Sequence, residues 1–400
     1  MERAIDLAAA EMGIDRVELR RRNLIPAVAM PYDTGFLFVY DTGEFERNMD
    51  IALEASDYAG FEERRRASEA RGMLRGISVT NAIEVAGGPF RATNEEGAEI
   101  RFDTGGAVTL LMGTQNHGQG HETAFRQMAV EFLGVHPDKV RVVSGDTDTV
   151  RHGRGTFGSR SVMAGGLALR RAADKVIARA RVLAAHMMDA DPEALEFDEG
   201  TFRVRGSNSS LRIEEVARAS YIRGTFPVDW DLGLAGEAIV VPPEANFPNG
   251  VHVCEVEVDP GTGSVEILSY LVVDDVGTVV NPLLTKGQIH GGVAQGVGQA
   301  AAEEVVHDPE TGQLLSGSFM DYAMPRASDL PMIGVISNAV PSTSNALGIK
   351  GAGEAGTVGA LAAYMNAVIH ALSPLGVRHL DMPATPHRVW EAIRDARTKD

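Results

Sequence analysis

Residues 348–360 read GIKGAGEAGTVGA. Gly351, Gly353 and Gly356 enclose a single acid, Glu354, and the apolar stretch 357–372 behind them has the length and texture of a helix. A glycine turn that opens on a helix start lets the backbone approach a ligand closely. It also presents N–H groups where the helix carries partial positive charge. The same design is read at three other places. Gly118-Gln119-Gly120 precedes a helix at 121–134, Gly155 to Ser161 precedes a long helix at about 161–188, and Gly287-Gln288 with Gly291-Gly292 opens a helix at about 287–304. One such loop alone is more often a turn or a close helix crossing. Four of them imply convergence on one extended, polar, anionic ligand.

Around these loops the chain divides into two textures. Residues 1–23 have helical periodicity, with Ile5, Leu7, Ala8 and Met12 on one face, and start with no capping residue, so Met1 is expected to be an internal methionine of a longer parent. Residues 24–45 read as loop, and a charged helix at about 44–70 ends in Arg64-Arg65-Arg66. From Arg75 onward strands take over. GISVTNAIEVA is followed by AEIRFDTGGAVTLLMGT, folded about Gly105-Gly106. A domain boundary is therefore expected near 72, giving units 1–72 and 73–400. Further strands are expected at 139–143, 251–259 and 264–274, the last two joined across Pro260-Gly261-Thr262-Gly263, with short helices near 212–220 and at the terminus. The class is α+β, a mixed α/β domain with glycine loops at helix N-termini and no strict βαβ alternation.

Composition removes several functions. Gly is 44 of 400 residues, aromatics are only 6%, and the net charge is −18, without the basic footprint that nucleic acid or an anionic membrane surface requires. Cys254 is the single cysteine, so this chain cannot by itself hold a disulfide, a cysteine-ligated zinc or an iron–sulfur cluster. Its alternating strand makes it a core residue. No apolar stretch in the sequence approaches the ~20 residues of a membrane span, the N-terminus is not a signal peptide, and a cytoplasmic protein is expected.

The nucleotide motifs fail. No G-x-x-x-x-G-K-[ST] is present, and Gly351 to Gly356 matches G-x-G-x-x-G only with Glu354 where it would repel a pyrophosphate, after a segment that is not a clean strand. His117 and His121 are four apart, but the glycines between them argue against a metal-binding helix. No protein ligand to a metal is expected. Asp146 and Asp148 read as a turn with Asx hydrogen bonds.

Taken together, GTQNHGQGHET, GDTDTVRHGRGTFGSRS, DDVGTVVNPLLTKGQIHGGVAQGVGQA and KGAGEAGTVGA resemble, in this order, the cofactor-binding motifs of the molybdenum hydroxylase large subunit. That family includes xanthine dehydrogenase, aldehyde oxidase, carbon monoxide dehydrogenase and bacterial N-heterocycle hydroxylases. MERAIDLAAAEMGIDRVELRRRNLIP and PYDTGFLFVYDTGEF resemble the stretch joining the family's two cofactor-binding domains, so 1–72 is the end of the first and 73–400 the second. The resemblance implies a molybdenum–molybdopterin cofactor, often extended to a cytosine dinucleotide in bacteria, with few or no metal ligands from protein. Gln119, between Gly118 and Gly120, would reach its molybdenum end. Thr156, Gly158, Ser159, Arg160 and Ser161 would wrap the pterin and phosphate, and Gln288 would add a hydrogen bond. Glu354 would be the general base, its carboxylate tuned upward by burial, in hydroxylation of an aldehyde or N-heterocyclic carbon with oxygen from water.

[2Fe–2S] and FAD are expected on partner subunits, because electrons must leave the molybdenum. The sequence also departs from the family. The G-G-x-F-G loop and R-G-x-G segment of the first cofactor domain are not present, Val276 stands where some relatives have cysteine, and Lys286 stands where an acid is common. These departures leave two other readings open. One is an incomplete or split subunit that holds cofactor weakly and is inactive without a partner chain. The other is an interaction protein with vestigial motifs.

Overall fold

A computed structural model describes residues 1–87, 94–242 and 244–398. The N-terminal helix is two helices, α1 (Glu2–Met12) and α2 (Arg16–Arg21). Gly13 breaks them apart at φ 64°, its N–H closing on Ala9 O, and the Asp15 carboxylate caps α2 by accepting from Val17 N and Glu18 N. Two short strands, β1 (Tyr32–Asp33) and β2 (Val39–Tyr40), pair within the expected loop. The charged helix is likewise interrupted, at Asp57 with φ 47°, into α3 (Phe45–Ala55) and α4 (Phe61–Glu69).

The remaining elements run in chain order as β3 (Leu74–Ile83), β4 (Glu96–Phe102), β5 (Val108–Met112), α5 (His121–Leu133), β6 (Val140–Ser144) and α6 (Ser161–Met187). A small meander follows, β7 (Leu195–Asp198), β8 (Thr201–Val204) and β9 (Ser210–Arg212), then α7 (Ile213–Ala219) and β10 (Ala235–Val240). The chain closes with β11 (Asn249–Val258), β12 (Val265–Asp275), α8 (Pro282–Ala301), β13 (Gly334–Ser337), α9 (Ala355–Leu372) and α10 (Pro386–Arg397).

Two layered halves result. In one, the sheet β10-β4-β5-β6 is covered by α5 and α6. Small residues along α6, among them Ala164, Gly165, Ala168 and Ala172, let it lie close over Phe125 and the sheet, whose inner face carries Ile100, Leu110 and Met112. In the other, the order is β13-β12-β11-β3, with α9 and α8 on one face and α3 and α4 on the opposite one. Every residue of β11 is buried, although its sequence alternates polar and apolar. The second face explains this. Cys254, Val256 and Val258 pack under α9, while Glu255 on the reverse is held by Arg64 of α4 at 3.0 Å and by Arg75 at 2.7 Å. The α9 helix is long and apolar enough to cross a membrane, but it packs on β3 and β11 in the interior.

Candidate active site

The two halves meet at a cleft of about 620 Å³, and four helices begin at its wall or beside it: α5, α6, α8 and α9. The fourth motif behaves differently from its sequence reading. Asn281 caps α8 by accepting from Leu284 N, with Pro282 in the first turn, so the helix begins five residues before Gly287. Gly287, Gly291 and Gly292 therefore lie inside a helix and form no loop. Gly292 serves the crossing with α9, since a Cβ there would stand 2.8 Å from Thr357 N. Gln288 still faces the cleft from within α8.

Most of the expected residues gather there. Gly118, Gln119, Thr156, Gly158, Ser159, Ser161, Gln288 and Glu354 line the cleft. Gly118 (φ 108°) and Gly120 (φ 84°) make the turn that presents Gln119, and Gly120 itself stays behind the lining, against Leu284. The Gln119 amide folds back, donating to Gln115 O at 3.1 Å and accepting from His117 N at 2.5 Å. Thr156 Oγ1 donates to the same Gln115 O at 2.6 Å, and Ser161 Oγ donates to Thr156 Oγ1 at 2.9 Å, which ties the first two loops together. Ser159 has φ 51°, a left-handed conformation that a non-glycine residue adopts at some cost. That twist aims its hydroxyl at the third loop. Ser159 Oγ donates to Glu354 Oε2 at 2.9 Å and accepts from Glu354 N at 3.0 Å. Gly351 makes the approach possible, because a Cβ there would stand 2.4 Å from Ser159 O.

Two expectations need correction. Arg160 does not reach the cleft. Its guanidinium is fully buried, paired with the equally buried Glu96 at 2.5 Å, and donates to Asn94 O and Glu95 O at 3.1 and 3.0 Å. A cation so committed is a structural tie between the 155–161 loop and β4, not a phosphate ligand. Second, Glu354, expected to be buried, is exposed on this chain.

The buried carboxylates are ones that sequence reasoning missed. Glu84, just past β3, has both carboxyl oxygens shielded with no hydrogen-bond partner. Desolvation pushes its pKa up to about 7, helped by the charge of the neighbouring Glu354 and opposed by the Ser159 hydroxyl. Behind it Asp274, at the end of β12, is also pushed up to about 7, by burial first and then by the charges of Asp275 and Glu84. A signal for Glu84 existed. It shares strand parity with Ser78 and Thr80, and Ser78 faces α9, donating to Ala363 O at 2.7 Å. His121, in the first turn of α5, is buried against Phe125, which pushes its pKa down to about 4 and leaves its Nδ1 without a partner.

A pterin needs amide, hydroxyl and backbone partners, and its phosphate needs N–H-rich helix starts. The cleft supplies Gln119, Gln288, Thr156 and Ser161, an unpartnered His121 nitrogen, and open space over Gly118 where no atom lies within 4 Å of a Cβ position. These residues fit such a group. Among the described residues no cluster of three metal-ligating side chains occurs.

The profile of the molybdopterin cofactor-binding domain matches residues 51–331. The chain belongs to that family. Of the curated proteins, the carbon monoxide dehydrogenase large chain of Hydrogenophaga pseudoflava is 34% identical over 99% of this chain and 50% of its own length. The 6-hydroxypseudooxynicotine dehydrogenase complex subunit gamma of Paenarthrobacter nicotinovorans is 35% identical over 97% of this chain and 49% of its own. Among solved structures, quinoline 2-oxidoreductase from Pseudomonas putida 86 superposes with a TM-score of 0.90 at 33% identity, covering 98% of this chain and 51% of that one. This molybdopterin-binding chain thus spans about half the length of the relatives it matches, and the half it matches is C-terminal.

Proposed function

We propose that this chain carries the catalytic base and half of the cofactor shell of a molybdenum hydroxylase that oxidises an aldehyde or N-heterocyclic aromatic carbon with water-derived oxygen. The observation that carries the reading is the Ser159–Glu354 pair, which fixes one free carboxylate at the mouth of a cleft suited to a pterin. When bound, the cofactor supplies the two-electron oxidation. The chain's own residues hold and orient. Gln119 and Gln288 offer amides, the starts of α5 and α6 offer N–H groups, and Thr156, held by Ser161, locks the second loop to the first through Gln115 O. Glu354 Oε1, which Ser159 does not engage, is free to accept a proton in the cleft.

The cofactor in this reading is molybdopterin in its cytosine dinucleotide form, with [2Fe–2S] and FAD on partner subunits and a first cofactor domain completing the cleft. Exposed apolar side chains such as Phe36, Phe319, Met320 and Met332 give such partners a surface. The reading includes a cytoplasmic setting. A split subunit that is inactive alone is the second reading, favoured by the exposure of Glu354.

Glu354→Gln keeps the size and most hydrogen bonding but cannot take the proton. In the complete enzyme it should cut the anaerobic reduction of the cofactor by substrate ~10²–10⁴-fold at unchanged molybdenum content. A change below about threefold, far short of a lost base, would remove Glu354 from the mechanism.

A further inference from the structure

We propose that the end of α9 remote from Glu354 closes a second ligand site, for a small aromatic carboxylate, in the cavity it forms with α1, α2 and the start of α4. This cavity holds about 640 Å³, as much as the cofactor cleft and within the range of small-molecule sites. Glu354 precedes α9 at one end, and Asn366 and His370 line the cavity at the other. At about 1.5 Å per helical residue the two sites stand roughly 24 Å apart. No residue lines both, so the ligand here is not the cofactor.

The polar groups left over in the cavity are donors. Arg3 is held in place by Asn366, which is 1% exposed: Arg3 Nη1 donates to Asn366 Oδ1 at 2.9 Å, and Nη2 donates to Arg378 O at 3.3 Å. A guanidinium has five N–H groups, so Arg3 keeps donors for a ligand. Among the described residues no carboxylate pairs with Arg3 or with Arg378. The charge that acts on Arg3 is that of Asp6, which is itself held by Arg20 at 2.7 Å and Arg16 at 3.6 Å. A half-buried cation without a counterion is costly, and desolvation pulls the Arg3 pKa below its ordinary value. The Tyr58 hydroxyl accepts from Arg16 Nε at 3.3 Å, which leaves its own proton to give. The remaining acids of the wall are engaged: Asp15 caps α2, and Glu62 lies 3.8 Å from Arg65. Two unpaired guanidiniums and a phenol O–H together select an anionic acceptor. With Asp6 and Glu62 close by, one negative charge is favoured over a phosphate dianion.

The rest of the wall selects the body of that anion. Ile14, Phe61, Ile369 and Val377 line it with apolar surface. His370 belongs with them. Burial first, and then the charges of Arg16 and Arg65, push its pKa down to about 2, so it stands as a neutral ring, 5.2 Å from the Phe61 ring and tilted 33° to it. Aromatic faces and branched side chains suit a flat apolar group, and the planar fork of an arginine suits the two oxygens of a carboxylate.

The test is equilibrium dialysis of the complete enzyme against 2-naphthoate, with uncharged 2-naphthamide and inorganic phosphate as controls. One 2-naphthoate per chain should bind saturably, with a dissociation constant of about 1 mM or tighter for a ligand of this size. Both controls should bind at least about tenfold more weakly, the effect of losing one charge-assisted hydrogen bond. Arg3→Gln, which can keep the bond to Asn366, and Arg378→Gln should each weaken binding by a similar factor. Ala59→Phe, at an exposed position of the wall, should block the cavity without changing its charge. Glu354→Gln should bind 2-naphthoate like wild type, which separates this site from any binding of the acid in the cofactor cleft. Binding that survives both Arg3→Gln and Ala59→Phe overturns the site, as does equal binding of 2-naphthamide. Failure of the complete enzyme to take up 2-naphthoate overturns it too, since another part of the complex would then fill the cavity.

Discussion

Arg160 shows how far a single residue's role depends on which way its side chain turns. By sequence it stands among pterin-binding residues. In the fold its guanidinium lies beside the Phe157 ring, its centre 5.1 Å from the ring centroid, and ends on Glu96, both charges fully buried. Burial pushes the Glu96 pKa up while Arg160 pulls it down, the balance expected of a desolvated pair. Arg160→Ala should therefore destabilise the protein by about 3–5 kcal/mol, because it strands a buried carboxylate. Thermal unfolding of cofactor-free enzyme distinguishes this from a phosphate contact. A phosphate ligand would leave that protein's stability unchanged and weaken only cofactor retention.

At the scale of elements, the site depends on where helices begin, and Lys350 anchors the segment leading to α9. Its Nζ donates to Asp275 Oδ2 and, at 3.2 Å, to Thr42 O. Asp275 in turn accepts from Asn249 Nδ2, Gly277 N and Val340 N. One buried carboxylate thus joins β11, β12, the approach to α9 and the segment before α3. Lys350→Met should cost about 3–5 kcal/mol by leaving Asp275 unpaired, and Lys350→Met with Asp275→Leu should cost less than the sum of the single changes. Additive losses in a double-mutant cycle would refute the pairing. The sequence already pointed to α5, α6 and α9 and to the β11–β12 hairpin, because period and glycine position are local signals. Other features were not local. The start of α8 turned on reading Asn281-Pro282 as cap and first turn instead of the glycines that follow, and breaks at Gly13 and Asp57 divided two helices that periodicity alone had joined. At the site, the lining residues were legible from their motifs. Glu84 and the fate of Arg160 were not, since both depend on contacts between segments distant in the chain, Glu84 with Glu354 and Arg160 with Glu96.

On the scale of the whole molecule, the cleft is a seam between two separately packed cores. One core centres on Phe102, Phe125 and Leu169, the other on Cys254, Val293 and Val368. Hydrogen bonds that cross this seam include Gly87 N to Gly158 O, Asn281 Nδ2 to Gln127 Oε1, and the Ser159–Glu354 pair. A ligand lying across the seam, touching Gln119 and Ser161 from one half and Gln288 from the other, would add to the coupling these bonds provide. Anything that binds only the folded state stabilises it by RT ln(1 + [L]/Kd), about 2.7 kcal/mol at a hundredfold excess over Kd. Removing the cofactor from the complete enzyme should therefore lower its thermal midpoint, and hydrogen exchange should show where the loss falls. Amides of 115–120, 155–161 and 349–354 should exchange faster, because these loops have few backbone partners of their own. Amides of β11 and β12, paired at the centre of their sheet and covered by helices, should keep their protection. Acceleration spread evenly through both cores, or absent from the three loops, would mean that the cofactor does not bridge the seam.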